Sequence, residues 1–182
     1  MVTHADPAGK VPSPTGFSWL RYVLAMARRS QILEEIRQTR PFASLQAEAL
    51  LGLLKTADQL RRQGARILAP YGISSQQYNV LRILRGAGEK GIPTLEIAGR
   101  LIEQAPGITR LLDQLEKKKW IRRRRCPEDR RQVLCWITAD GVRLLARLDE
   151  PVERYGQEAL KMLSEKELRV LVGLLDRVRK PT

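Results

Sequence analysis

A mainly α-helical chain with a small β-hairpin wing is the fold class the sequence predicts, and three observations predict it. Apolar residues recur at spacings of three and four over residues 44–115 and again over 142–178. Only residues 121–138 carry the period and the β-branched composition of strands. Helix caps and glycine or proline stops fall between these stretches. With 182 residues and 43% hydrophobic content, the chain suits one domain, or one domain with an added dimerisation layer.

Residues 1–41 read as a partly disordered N-terminal extension. Pro7, Gly9, Pro12, Pro14 and Gly16 lie in its first sixteen positions, followed by a short amphipathic stretch, Phe17 to Ile36. Met26 precedes Ala27-Arg28-Arg29-Ser30, a plausible protein start, which makes the first 25 residues candidate upstream sequence. Trp19 to Ala27 is fairly apolar, but Arg21 interrupts it and the residues before it are only weakly basic, so a secretory leader is disfavoured.

The first long helix follows from Ser44, with Leu50, Leu53, Leu54, Ala57, Leu60, Gly64, Ile67 and Leu68 on one face and Pro70 and Gly72 as its stop. Ser74 and Gln77 form a capping-box pattern that opens a second helix, whose Tyr78, Leu81 and Leu84 face inward until Gly86 and Gly88. Pro93 and Thr94 open a third, Leu95 to Leu101. A tight connection leads to a fourth, with Ala105 as a poor N-cap and Pro106 at its first position. Two short helices with so brief a join read as a helix-turn-helix. The strands Ile121 to Arg125 and Val133 to Thr138 enclose a polar turn at Pro127 to Arg130 and form a hairpin. Thr138 caps the next helix, in which Pro151 predicts a kink or break. Ser164 and Glu167 make a second capping box, and Leu168, Leu171, Leu175 and Val178 stripe the last helix. The order is that of a winged helix-turn-helix with N- and C-terminal dimerisation helices. The expected division is 42–70 and 139–182 for a helical dimerisation region and 71–138 for a winged helix-turn-helix DNA-binding domain, the outer helices packing together and against a second copy.

Charge indicates the partner. Lysine and arginine number 33 against 20 acidic residues, a net charge of +13, which implies a polyanion, either nucleic acid or an anionic membrane surface. Between Arg100 and Arg131 there are eleven basic residues against five acids, on the fourth helix and the hairpin. Those are the elements able to enter a major groove and an adjacent minor groove, so double-stranded DNA is favoured over a membrane. Pro106, Gly107, Thr109 and Arg110 stand at the amino end of the fourth helix, where backbone N–H groups and the helix dipole favour phosphate. Arg110 can reach a guanine edge bidentately, Thr109 a thymine methyl or a phosphate, and Gln114 lies on the same exposed side. Arg124 belongs to the basic strand. Arg130 and Arg131 at the hairpin tip, beside Asp129, suit the negative potential of a narrow minor groove.

The string Pro127-Glu128-Asp129-Arg130-Arg131-Gln132-Val133-Leu134, with Ile137-Thr138 and Gly141 after it, resembles the wing signature of the MarR family of bacterial transcriptional regulators. Ile108 to Lys118 is similar to that family's recognition helix, and the resemblance extends over about residues 42–180. It implies that the fourth helix reads the major groove, that Arg131 enters the minor groove with Asp129 holding it, and that the terminal helices form a homodimer. It further implies a repressor bound to a pseudopalindromic operator and released by a small aromatic effector or an oxidant. The chain departs from the family at Trp120, where glycine is usual before the wing, and the resemblance does not carry the turn geometry there.

An effector pocket between the dimer helices and the DNA-binding lobe has Tyr71, Tyr78 and Trp120 as aromatic candidates. Cys126 and Cys135 flank the wing, and a redox switch between them is the rival signal to their reading as small apolar strand residues. Two cysteines and a single histidine, His4, exclude a disulfide scaffold and a zinc site, and no cofactor is expected. With no nucleophile motif or phosphate-binding glycine loop, an enzyme is not expected. No apolar run is long enough to cross a bilayer, so a cytoplasmic protein without membrane contact is expected. An architectural or nonspecific nucleic-acid binder is the alternative function that the same basic patch would serve.

Overall fold

The computed structural model describes residues 31–103, 107–127, 129 and 131–180. The expectations for residues 1–30, including His4 and Met26, and those for Ala105, Pro106 and Arg130 lie outside the described residues. Seven α-helices and three strands lie among the described residues: α1 Gln31–Glu35, α2 Leu45–Leu68, α3 Ser75–Ala87, β1 Ile92–Pro93, α4 Thr94–Arg100, α5 Ile108–Lys117, β2 Ile121–Arg125, β3 Val133–Ile137, α6 Ala139–Leu160 and α7 Glu165–Arg179.

The chain divides into two compact units, residues 1–56 and 57–182. In the first, α1 and the amino-terminal part of α2 are described. The α2 residues Leu45, Leu50 and Leu54 there are more than half exposed. In the second, α3, α4, α5, the sheet and the start of α6 close around one core. Leu81 and Leu84 of α3, Ile97 of α4, Leu112 and Leu115 of α5, and Leu145 and Leu148 of α6 are almost wholly buried. Burying each such side chain contributes about 1.5–3 kcal/mol. Arg85 of α3 and Asp149 of α6 add a bidentate pair at 2.9–3.1 Å.

Both capping boxes form: Ser74 Oγ accepts from the Gln77 N–H at 3.2 Å and Gln77 Oε1 from the Ser74 N–H, and Ser164 and Glu167 repeat the arrangement. The hairpin forms in the register Arg123 opposite Cys135, and β1 pairs with β3, so the sheet order is β1-β3-β2. The sequence reading missed β1, because two residues ending in Pro93 carry no strand period.

One local expectation, a break at Pro151, is corrected. Pro151 does not break α6, which runs unbroken from Ala139 to Leu160. A proline removes one N–H bond within the helix, and the packing of Leu145 and Leu148 before it and Tyr155 after it holds both halves. The described helix at the turn starts at Ile108. Its N-cap is Gly107 in the left-handed region, φ 103°, a conformation open to glycine and costly for other residues.

Candidate nucleic-acid interface

The surface is built from α5 and the wing. In α5 the spacing of Ile108, Leu111, Leu112 and Leu115 turns one face into the core and leaves Thr109, Arg110, Asp113 and Gln114 exposed. Among the described residues no carboxylate lies within ion-pair distance of Arg110, Arg124 or Arg131. Gln114 is held from beneath: its Oε1 accepts from Nε2 of the buried Gln77 at 3.0 Å, which ties the exposed face of α5 to α3.

The wing is fixed on α5 by Arg123. Its guanidinium donates to Glu116 at 2.6 and 2.9 Å and to Asp113 at 2.5 Å, and its N–H donates to Glu116 Oε1 at 3.0 Å. The hydrogen bond with Glu116 raises the Arg123 pKa above its ordinary value, outweighing its partial burial. One arginine of the run Arg122 to Arg125 is therefore neutralised internally. Sequence reasoning counted it in the basic patch, whereas strand alternation places Arg123 on the side opposite Arg122 and Arg124. Arg122 stacks on Trp136, 5.1 Å from the ring centroid, and the Trp136 indole donates to the Glu89 carbonyl.

At the wing turn Asp129 does act on Arg131, through the backbone. Its Oδ1 accepts from the Arg131 N–H at 3.0 Å and its Oδ2 from the Gln132 amide at 3.0 Å. The Arg131 side chain is exposed, and among the described residues no carboxylate lies within ion-pair distance of its guanidinium. Thr109, Arg123 and Arg131 line one depression of about 450 Å³ together with the start of α4, so the helix and wing present a continuous surface.

The base of the wing depends on a hydrogen-bonded junction. After α5, the Lys119 N–H bonds the Glu116 carbonyl at 2.8 Å and the Trp120 N–H bonds the Leu115 carbonyl at 3.1 Å, with Lys119 at φ 61°. This is a Schellman termination whose left-handed residue is Lys119. The turn thus needs no glycine at position 120. Thr138 Oγ1 donates to the Lys119 carbonyl at 2.7 Å and accepts from the Gly141 N–H, capping α6 against the same turn.

The three aromatic candidates do not share a pocket. Tyr78 lines a cavity of about 600 Å³ with Asp58, Arg61, Ile67, Arg82, Glu103 and Tyr155. Tyr71 and Trp120 line a separate cleft of about 420 Å³. Sequence reasoning missed Tyr155, whose hydroxyl donates to the Leu60 carbonyl at 2.7 Å and whose ring lies against Gly64. Its position in a stripe near Pro151 gave no such signal.

The cysteines are also kept apart. Cys135 lies opposite Arg123, while the Cys126 N–H bonds the Gln132 carbonyl, three rungs along the same ladder. Three rungs are about 10 Å and reverse the face, whereas a disulfide needs Cα atoms within about 7 Å. Burial also pushes the Cys135 thiol pKa up, disfavouring the reactive thiolate. The hairpin as folded does not support a Cys126–Cys135 switch.

Residues 73–133 match the family model of the MarR family. The regulator PecS of Dickeya dadantii is 29% identical over 83% of this chain and 92% of its own length. The multiple antibiotic resistance protein MarR of Salmonella typhimurium is 34% identical over 61% of this chain and 76% of its own. The crystal structure of a MarR transcription factor from Planctomyces limnophilus is 40% identical, with a TM-score of 0.59 over 75% of this chain and 98% of that one. The chain belongs to the MarR family. It is thus a MarR-family transcriptional regulator with the winged-helix fold, and its relatives are regulators rather than enzymes. A mutant MarR from E. coli, solved in complex with operator DNA, is 30% identical, with a TM-score of 0.67 over 76% of this chain and all of that one. No helix among the described residues of this MarR-family protein is long and apolar enough to cross a membrane.

Proposed function

We propose that this regulator binds double-stranded DNA as a two-fold symmetric homodimer and represses transcription from a pseudopalindromic operator. The observation that carries the reading is the continuous surface of α5 and wing, on which Arg110 and Arg131 stand exposed, with no carboxylate among the described residues in ion-pair distance, while Arg123 ties the two elements together. Arg110, Thr109 and Gln114 contact base edges in the major groove, and Pro106 and Gly107 bring the chain close to phosphate. Arg124 contacts the backbone. Arg130 and Arg131 enter the minor groove from a turn that Asp129 holds in shape. The operator complex of the E. coli relative supports this use of the fold.

Residues 71–138 form the DNA-binding domain, and 42–70 with 139–182 the dimerisation region. Exposed apolar side chains at both ends support that division, among them Leu45, Leu50 and Leu54 in α2 and Val170, Leu174 and Val178 in α7. A small aromatic effector occupies the 600 Å³ cavity, a volume typical of ligand sites, between Tyr78 and Tyr155 and beside Arg82. Ile102, whose N–H bonds Asn79 Oδ1 at 3.0 Å, and Glu103 line the same cavity, which supports a route from occupancy to release of DNA.

The test is selection of genomic fragments at physiological salt, repeated with Arg131→Ala. The expected result is one inverted-repeat motif with half-sites about one helical turn apart. Arg131→Ala should weaken binding to it by about 1–3 kcal/mol. Recovery of no motif would favour an architectural binder instead.

A further inference from the structure

The cleft at Tyr71 and Trp120 has a composition that neither the DNA surface nor the larger cavity accounts for. It lies between the end of α5, the turn before α3 and the first turns of α6. Four cations line it, Lys118, Lys119, Arg143 and Arg147, against a single acid, Asp140. Arg143 pairs with Asp140. Among the described residues Lys119 and Arg147 have no carboxylate within ion-pair distance, so positive charge is left over.

Two of the cations are held against the aromatic walls. Lys118 Nζ stands 4.6 Å from the Trp120 ring centroid and donates to the Gly72 carbonyl at 2.5 Å. The Arg147 guanidinium stands 5.4 Å from the Tyr71 ring centroid. Rings and cations packed together make a lining that is apolar in surface and positive in potential. A neutral hydrocarbon would leave the charge unmatched, and a bare inorganic anion would leave the rings unused. The volume, about 420 Å³, is that of a small-molecule site and too confined for a duplex.

We propose that this cleft is a second small-molecule site, separate from the Tyr78 cavity, that takes a planar aromatic dicarboxylate. Its carboxylates are held by Lys119, Arg143 and Arg147, and its ring lies against Tyr71 and Trp120. Two negative charges on the ligand answer the excess of cations. The site does not depend on the DNA reading, since none of these side chains belongs to the surface assigned to operator contact.

The experiment is calorimetric titration of phthalate into the full chain at constant ionic strength, alongside benzoate and inorganic phosphate. The variants are Lys119→Gln with Arg147→Gln, Arg143→Gln alone, and Arg82→Gln in the larger cavity. All four side chains are exposed, and circular dichroism and melting establish that each variant is folded. Phthalate is expected to bind more tightly than benzoate or phosphate. The double variant should weaken it by about tenfold or more, Arg143→Gln should weaken it less, and Arg82→Gln should leave it unchanged. The proposal is overturned by undiminished phthalate binding in the double variant, by loss only in Arg82→Gln, by phosphate binding as tightly as phthalate, or by no heat of binding at millimolar phthalate.

Discussion

Lys119 shows how a single backbone conformation shapes the interface. It holds the left-handed position of a Schellman termination at φ 61°, where a side chain costs energy that glycine does not incur. Lys119→Gly should therefore raise stability by about 0.5–1 kcal/mol, after allowing for glycine's greater freedom in the unfolded chain. Chemical denaturation would register it as a higher midpoint with an unchanged slope. Cys135 makes a second prediction at this scale. Burial raises its folded pKa, so the native chain holds the thiol proton to higher pH than the unfolded chain does. Its contribution to stability is complete below the unfolded thiol pKa, about 8.5, and is lost as pH rises through the raised folded value. Cys135→Ala should flatten the decline of stability with pH above about 8.5. An unchanged slope in paired denaturation curves would refute this.

At the scale of elements, the decisive joint is the one between α5, the wing and α6. A Cβ on Gly141 would lie 2.3 Å from the Trp120 carbonyl oxygen and 2.7 Å from Ile137. The backbone carbonyl, fixed by its hydrogen bond from the Thr138 N–H, cannot yield cheaply, and the half-buried Ile137 side chain would have to shift with it. Gly141→Ala is expected to cost about 2–3 kcal/mol and, by shifting the wing on α6, to lower DNA affinity beyond what stability explains. Thermal unfolding and fluorescence anisotropy on an operator duplex would measure the two effects separately. The Arg123 pairs with Glu116 and Asp113 act at the same scale, since they join the helix to the wing by hydrogen bonds in addition to the apolar packing of Leu115 and Ile121 in the core.

At the scale of the whole molecule, the exposed apolar residues of α7 set a requirement. Val170 and Val172 are each 57% exposed and Val178 70%, on a helix whose capping box and dipole-matched ends indicate that it is stable as a helix. A second copy is the cover proposed for them. Sedimentation should give a dimer for the native chain and a monomer for Val170→Glu with Leu174→Glu, with loss of tight operator binding. A dimer that survives both charges would reject α7 as part of the interface.

The sequence alone determined the long helices, both capping boxes, the hairpin and the family resemblance. These depend on residues within one or two turns of each other: a serine three positions before glutamine or glutamate, a change of period at residue 121, a wing string without gaps. Only the tertiary structure decided which members of those elements meet. It paired Arg123 with Glu116, directed Asp129 to the Arg131 backbone, and set Cys126 three rungs from Cys135. It also put Tyr78 in one cavity and Tyr71 with Trp120 in another. Periodicity gives the face on which a residue lies. Partners depend on strand register and helix packing, which join residues that are distant in the chain.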